Sequence, residues 1–269
     1  RILRQKFRLG LFEKSQVHVD RAVEVRHTEE NQQKALEAAR EGIVLLKNEK
    51  NLLPLDKSIG SIAVIGPNAN HEKNQLGDYT SISVIQDIIT VLEGIQAKTS
   101  PQTKITYVQG CEVVGTDVNQ IAQACEAAKS AEVAIVVVGE NEWRAPDKKG
   151  TVGEGYDTAS LDLSGLQEEL VKAVVETGTP TIVILINGRP LSIPWIAEHV
   201  PAIVEAWCCG EKGGMAVAEI LFGETNPSGR LSVTIPRHVG QLPTYYNHKR
   251  SKQYWIAEGW GKPYVDMSA

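Results

Sequence analysis

Two runs in this sequence, VAIVVV at 133–138 and IVILI at 182–186, carry no polar side chain at all. A strand with one wet face alternates apolar and polar residues. A run that is apolar on both faces belongs inside a mostly parallel sheet covered by helices. Further short runs rich in β-branched residues, at 62–65, 105–108, 202–206 and 231–235, extend the same pattern and give six candidate strands.

Helical periodicity fills the gaps between these runs. Val118, Ile121, Cys125 and Ala128 form one stripe ahead of the 133–138 run. Ser164 has Gln167 three residues on, in capping-box spacing, and Leu166, Leu170 and Val174 point one way from the helix it opens. Segment 215–221 is an apolar helix opened by Gly213 and Gly214 and stopped by Gly223. An earlier helix, 32–46, presents Leu36, Ala39, Ile43 and Leu46. Strands alternating with helices predict a doubly wound (α/β)6 sandwich with a mostly parallel six-stranded sheet. The polar segment 13–28 reads as a linker. The aromatics Tyr254, Trp255, Trp260 and Tyr264 near the end either cover a sheet edge or line a cleft.

Composition narrows the function classes. The formal net charge is -5 with no long block of one sign, which argues against a nucleic-acid surface. No apolar run is long enough to cross a bilayer as a helix. Cys111, Cys125, Cys208 and Cys209 form no CxxC pair, and the six histidines are scattered. Reduced thiols without a metal are therefore expected. The glycine-rich turns at 66–70 and 210–214 lack both a Walker lysine pair and a GxGxxG fingerprint, so they read as packing turns and no cofactor is expected. A nucleotide-binding domain using the 210–214 turn is the alternative.

One connection breaks the economy of the rest. Residues 139–161, GENEWRAPDKKGTVGEGYDTASL, leave the carboxyl end of a doubly buried run, where open α/β sheets place their ligands. Glu154 lies between Gly153 and Gly155, a setting that presents a side chain freely. A carboxyl group packed against a ring such as Trp143 or Tyr156 is partly desolvated and holds a proton more readily, as a general acid must. Chemistry alone leaves a solvated loop glutamate and a general acid both open.

Several segments together then resemble one family. GIVLLKNEKNLLPL at 42–55 and IAVIGPNA at 62–69 are followed in order by VGE at 138–140, GEGYD at 153–157 and LDL at 161–163. NGRPL at 187–191 and LFGETNPSGRL at 221–231 complete the series. The chain resembles the C-terminal domain of glycoside hydrolase family 3, and RILRQKFRLGLF at 1–12 resembles the last helix of that family's N-terminal barrel. The implied organisation is 1–28 as barrel end and linker, 29–250 as the α/β sandwich, and 251–269 as a tail toward a further segment.

The resemblance implies a retaining, exo-acting β-glucosidase in which this domain supplies the acid/base glutamate and an upstream barrel supplies an aspartate nucleophile. By position Glu154 matches the acid/base, with Glu142 and Glu140 as rivals. Trp143, by the placement of its ring on the loop, is the expected sugar-stacking residue, with Tyr156 and Asp157 as further sugar contacts. Thr158 stands where many relatives carry Arg, which removes one expected loop contact. The implied partners are a β-glucoside or oligosaccharide and the barrel of the same enzyme, with a homo-oligomer also compatible. The implied location is periplasmic or secreted. A β-xylosidase of the same family and a non-catalytic α/β binding module are the alternatives.

Overall fold

A computed structural model describes residues 1–16, 18–80, 87–141 and 150–247. The strands are β1 (Val44–Asn48), β2 (Ser61–Ile65), β3 (Lys104–Val108), β4 (Val133–Gly139), β5 (Thr181–Ile186) and β6 (Ala202–Glu205). They form one sheet in the order β1-β6-β5-β4-β2-β3, parallel except for β1, which runs antiparallel to β6. Every residue of β4 and of β5 is buried, as the two all-apolar runs require.

The two-residue period of the strands divides the core in two. Val64, Ile135, Val137, Ile182, Ile184 and Ile186 face helices α3 (Glu29–Gly42), α4 (Val91–Lys98) and α8 (Gly213–Leu221). Ile65, Val136, Val138, Val183 and Leu185 face α5 (Asn119–Lys129), α6 (Gln167–Glu176) and α7 (Pro194–His199) on the other side. The expected doubly wound sandwich is the observed one.

Several local expectations are corrected. The helix read as 32–46 ends at Gly42, and the continuous apolar run after it forms β1 along β6. An open sheet edge recruits that run, because backbone pairing outweighs a helical spacing of the same apolar residues. The 231–235 run is not a strand. Leu231 and Val233 are exposed, and β1 already occupies the edge beside β6. Segment 13–28 is more than a linker, since it contains α2 (Val19–Arg26), an exposed helix. The buried stripe of α5 is Ala124, Ala127 and Ala128, with Ile121 packed against it, whereas Val118 is exposed.

The opening helix, α1 (Ile2–Arg8), is present as expected and buries none of its residues. Its Ile2, Leu3 and Phe7 are all exposed. The tail residues Tyr254, Trp255, Trp260 and Tyr264 lie outside the described residues.

Ser164 does not cap α6, whose first turn has no side-chain cap. Gln167 turns inward instead and is fully buried. Its Oε1 accepts the Gly139 N–H at 2.8 Å, and its Nε2 donates to the Gly139 carbonyl at 2.8 Å. The amide thereby satisfies both backbone groups of the last β4 residue, where the ladder stops and the chain departs. Gly139 itself has φ +143, and a Cβ there would come within 1.9 Å of the Ile186 carbonyl oxygen. Replacing Gln167 by Ala strands two buried backbone groups and opens a cavity. A loss of about 2–4 kcal/mol is expected, read as a lower urea midpoint at unchanged slope.

Candidate functional site

Because β2, β4, β5 and β6 are parallel, the segments that follow them emerge on one edge of the sheet. The chain goes from β2 outward to β3, then returns past β2 to β4 and continues to β5 and β6. The direction of winding therefore reverses between β2 and β4. A crevice opens at such a switch point, outside the carboxyl ends of the strands.

The connection after β4 is built in two parts. Asn141 and Thr151 tie its base together: the Thr151 N–H donates to the Asn141 carbonyl at 2.9 Å, and the Asn141 N–H donates to Thr151 Oγ1 at 3.1 Å. Glu142 and Trp143 belong to the segment between these ties and lie outside the described residues. Beyond Thr151 the chain makes a tight turn in which the Tyr156 N–H donates to the Gly153 carbonyl at 3.1 Å. Gly153 and Gly155 adopt φ +126 and +80, values that residues with a Cβ rarely take.

Glu154 sits exposed at the tip of this turn. It meets two residues that follow β2, on the far side of the switch point. The Glu154 N–H donates to Asp78 Oδ2 at 2.9 Å, and the Tyr79 hydroxyl donates to Glu154 Oε2 at 2.7 Å. The expected desolvation of this carboxyl by an aromatic neighbour is not provided by the described residues, because the side chain is exposed. A hydrogen bond from a tyrosine holds it instead. Tyr156 and Asp157 line an open cleft of about 370 Å³ beside the turn, together with Val114, Thr151, Thr158 and Ser164.

Glu140 occupies a different environment from Glu154. It is buried, with Oε1 2.8 Å from Arg189 Nε and Oε2 accepting the Gly188 N–H at 3.1 Å. Burial raises its pKa above the ordinary carboxylate value, and the adjacent guanidinium works in the opposite direction. A carboxyl group so enclosed can brace the segments on either side of it. Its backbone is held as well, by Asn68 Nδ2 donating to the Glu140 carbonyl at 3.0 Å.

Arg189 carries this brace to the loop. Its Nη1 donates to Thr158 Oγ1 at 3.1 Å, and its Nη2 donates to the Tyr156 carbonyl at 3.2 Å and also to the Thr151 carbonyl. Sequence reading quoted the NGRPL segment without giving Arg189 a role. The partners of its side chain run from Thr158, 31 positions away, to Glu140, 49 positions away (189 − 140), beyond the reach of any local pattern.

Glu205 was also missed, although a carboxylate inside the AIVEA strand run was a visible signal. It is fully buried, and desolvation pushes its pKa up to about 8. The Trp207 N–H and the Asn187 side chain oppose that shift, while the negative charge of Glu140 adds to it. Elsewhere, a larger cleft of about 710 Å³ lies at the β1 edge between Leu46, Ile193, Ala197 and Ile235, with Glu198 as its one carboxylate. Among the described residues no cluster of three or more His, Cys, Asp or Glu side chains could hold a metal ion, and no helix is long and apolar enough to cross a membrane.

Residues 43–264 match the family description "Glycosyl hydrolase family 3 C-terminal domain". The chain belongs to glycosyl hydrolase family 3. Among its relatives, a beta-xylosidase of Formosa agariphila is 43% identical over 91% of this chain and 34% of its own length. A periplasmic beta-glucosidase of Salmonella typhimurium is 36% identical over 92% of this chain and 34% of its own. The crystal structure of a beta-glucosidase from Listeria innocua in complex with isofagomine superposes with a TM-score of 0.86 at 32% identity, over 100% of this chain and 36% of that one. The family 3 chain described here thus spans about a third of the length of these relatives.

The buried Glu205 makes a pH test of this sheet end possible. Below about pH 4.5 the folded and unfolded chains both hold its proton. Between 4.5 and about 8 the unfolded chain sheds the proton while the folded one keeps it, so stability falls as pH rises, by about 1.4 kcal/mol per unit for this one group. Glu205→Gln is expected to remove that component and to gain on the natural protein as pH climbs from 5 to 8. Urea midpoints at several pH values check it, and equal pH slopes in the two proteins would show Glu205 already ionised in the fold.

Proposed function

We propose that this chain is the acid/base-bearing domain of a retaining, exo-acting β-glycosidase of the β-glucosidase type, with Glu154 as the proton donor. The observation that supports Glu154 is its place. It is an exposed carboxyl at the sheet's switch point, with its backbone and one carboxylate oxygen held by residues following β2. A retaining mechanism needs a second carboxylate roughly 5 Å away to attack the anomeric carbon. In this reading a barrel domain of the same polypeptide supplies it as an aspartate, and segment 1–28, with the exposed apolar residues of α1, is the end of that barrel and its link to the sandwich.

The proposed chemistry follows from one proton moved twice. Protonated Glu154 gives its proton to the glycosidic oxygen as the bond to the anomeric carbon breaks and the aspartate forms a glycosyl ester. Ionised Glu154 then takes a proton from water, whose oxygen attacks the same carbon and frees the aspartate. Tyr156 and Asp157, at the cleft beside the turn, are the proposed sugar contacts, as is Trp143. On the name of the Salmonella relative we extend the reading to a periplasmic location.

A second reading, β-xylosidase, is favoured by the 43% identical Formosa relative. The ratio of kcat/KM on aryl glucosides and aryl xylosides decides between the two sugars. For Glu154 itself, Glu154→Ala in the complete enzyme is expected to slow glycosides with poor leaving groups by about 100- to 10,000-fold. Activated aryl glycosides, which need no proton for departure, should lose far less in bond cleavage, and added azide should restore turnover as a glycosyl azide. Unimpaired hydrolysis of cellobiose or xylobiose by this variant would remove Glu154 from the role.

A further inference from the structure

The turn that carries Glu154 has little stiffness of its own. Two of its residues are glycines at positive φ, and the carboxyl it presents is exposed. What fixes it comes from elsewhere in the sheet. The guanidinium of Arg189 reaches the Thr151 carbonyl on one side of the turn and the Tyr156 carbonyl on the other, both through Nη2, while Nη1 holds Thr158. One planar group thus grips the chain before and after Glu154.

The grip is anchored at its other end. Nε of Arg189 faces the Glu140 carboxylate at 2.8 Å, and that same carboxylate takes the N–H of Gly188, the residue just before Arg189. Asn187 Nδ2 donates to the Arg189 carbonyl at 2.8 Å. Glu140 follows β4 directly and Asn187 follows β5, the two strands buried on both faces. The guanidinium is therefore fixed to the most rigid part of the fold, and its side chain is only 21% exposed.

We propose that Arg189, held by Glu140, is a positioning residue that sets the rate of proton transfer by fixing the Glu154 turn against the sheet. The proposal rests on the reading of Glu154 as the acid/base. An error of about 1 Å in a reacting group costs on the order of 100-fold in rate, so a turn released from one of its supports loses turnover while substrate binding persists. Asp78 and Tyr79 still hold Glu154 when Arg189 is replaced, which makes the expected loss partial. Lysine cannot substitute. Its single ammonium has no planar fork with which to face Glu140 and serve three loop oxygens at once.

The experiment is a double-mutant cycle in the complete enzyme, with Arg189→Met and Glu154→Ala made singly and together. Arg189→Met is expected to lower kcat on a poor-leaving-group disaccharide by about 10- to 100-fold, with KM changed less than about threefold. In the Glu154→Ala background it should cost nothing further, because its effect passes through Glu154. Amide hydrogen exchange adds a readout independent of catalysis: Arg189→Met should speed exchange at Glu154 and Tyr156 and leave β4 and β5 unchanged. Should Arg189→Met not fold, Arg189→Lys keeps the charge opposite Glu140 and reads the loss of the fork by the same assays. Equal losses in both backgrounds, a loss carried mainly by KM, or unchanged exchange in the turn would each overturn the proposal. If Glu154→Ala alone leaves disaccharide turnover intact, the acid/base reading fails, while the exchange measurement still decides whether Arg189 holds the turn.

Discussion

Burying both faces of β4 and β5 is the constraint from which the rest of the structure follows. Neither strand can be left at a sheet edge or with one face wet, so helices must cover both sides, with α3, α4 and α8 on one and α5, α6 and α7 on the other. Once both faces are covered, side chains can meet a ligand only at the ends of the strands. Five parallel strands put all their following segments on a single edge, and the reversal of winding between β2 and β4 opens that edge where Asp78 and Tyr79 meet Glu154.

The strand ends do not close themselves, and polar side chains finish the work. Gln167 satisfies the last backbone pair of β4 from inside α6, in a place where its spacing from Ser164 suggested a cap. Glu140 then brings a carboxyl group into the core, where burial raises its pKa and the Arg189 guanidinium against it opposes that shift. Among the described residues no cation opposes the burial of Glu205, whose pKa is pushed up to about 8. The negative charge of Glu140 adds to the burial that raises the Glu205 pKa, as neighbouring like charges separate their titrations.

Legibility was uneven, for identifiable reasons. The sheet and its covering helices could be read because burial on both faces leaves a compositional mark that no local propensity imitates. The 43–46 run was read as the end of a helix and 231–235 as the sixth strand, because local spacing does not show which segment fills the edge beside β6; only the packed fold shows that β1 takes it. The α5 stripe was misread by favouring large side chains, where the crowded contact with the sheet admits alanines. Glu154 was reached through glycine spacing and family resemblance, whereas the burial of Glu140 against Arg189 left no mark in the sequence.

The sequence by itself determined the fold class, the position of the long loop at the carboxyl end of a central strand, and the carboxylate at its tip. These depend on periodicity and on neighbours a few residues apart. Tertiary structure alone decided that Tyr79 and Asp78 reach Glu154 from 75 and 76 positions away, and that Arg189 links Glu140 to the turn. A parallel sheet joins strand ends through crossovers dozens of residues long, so the partners that meet at its edge share no local signal in the chain.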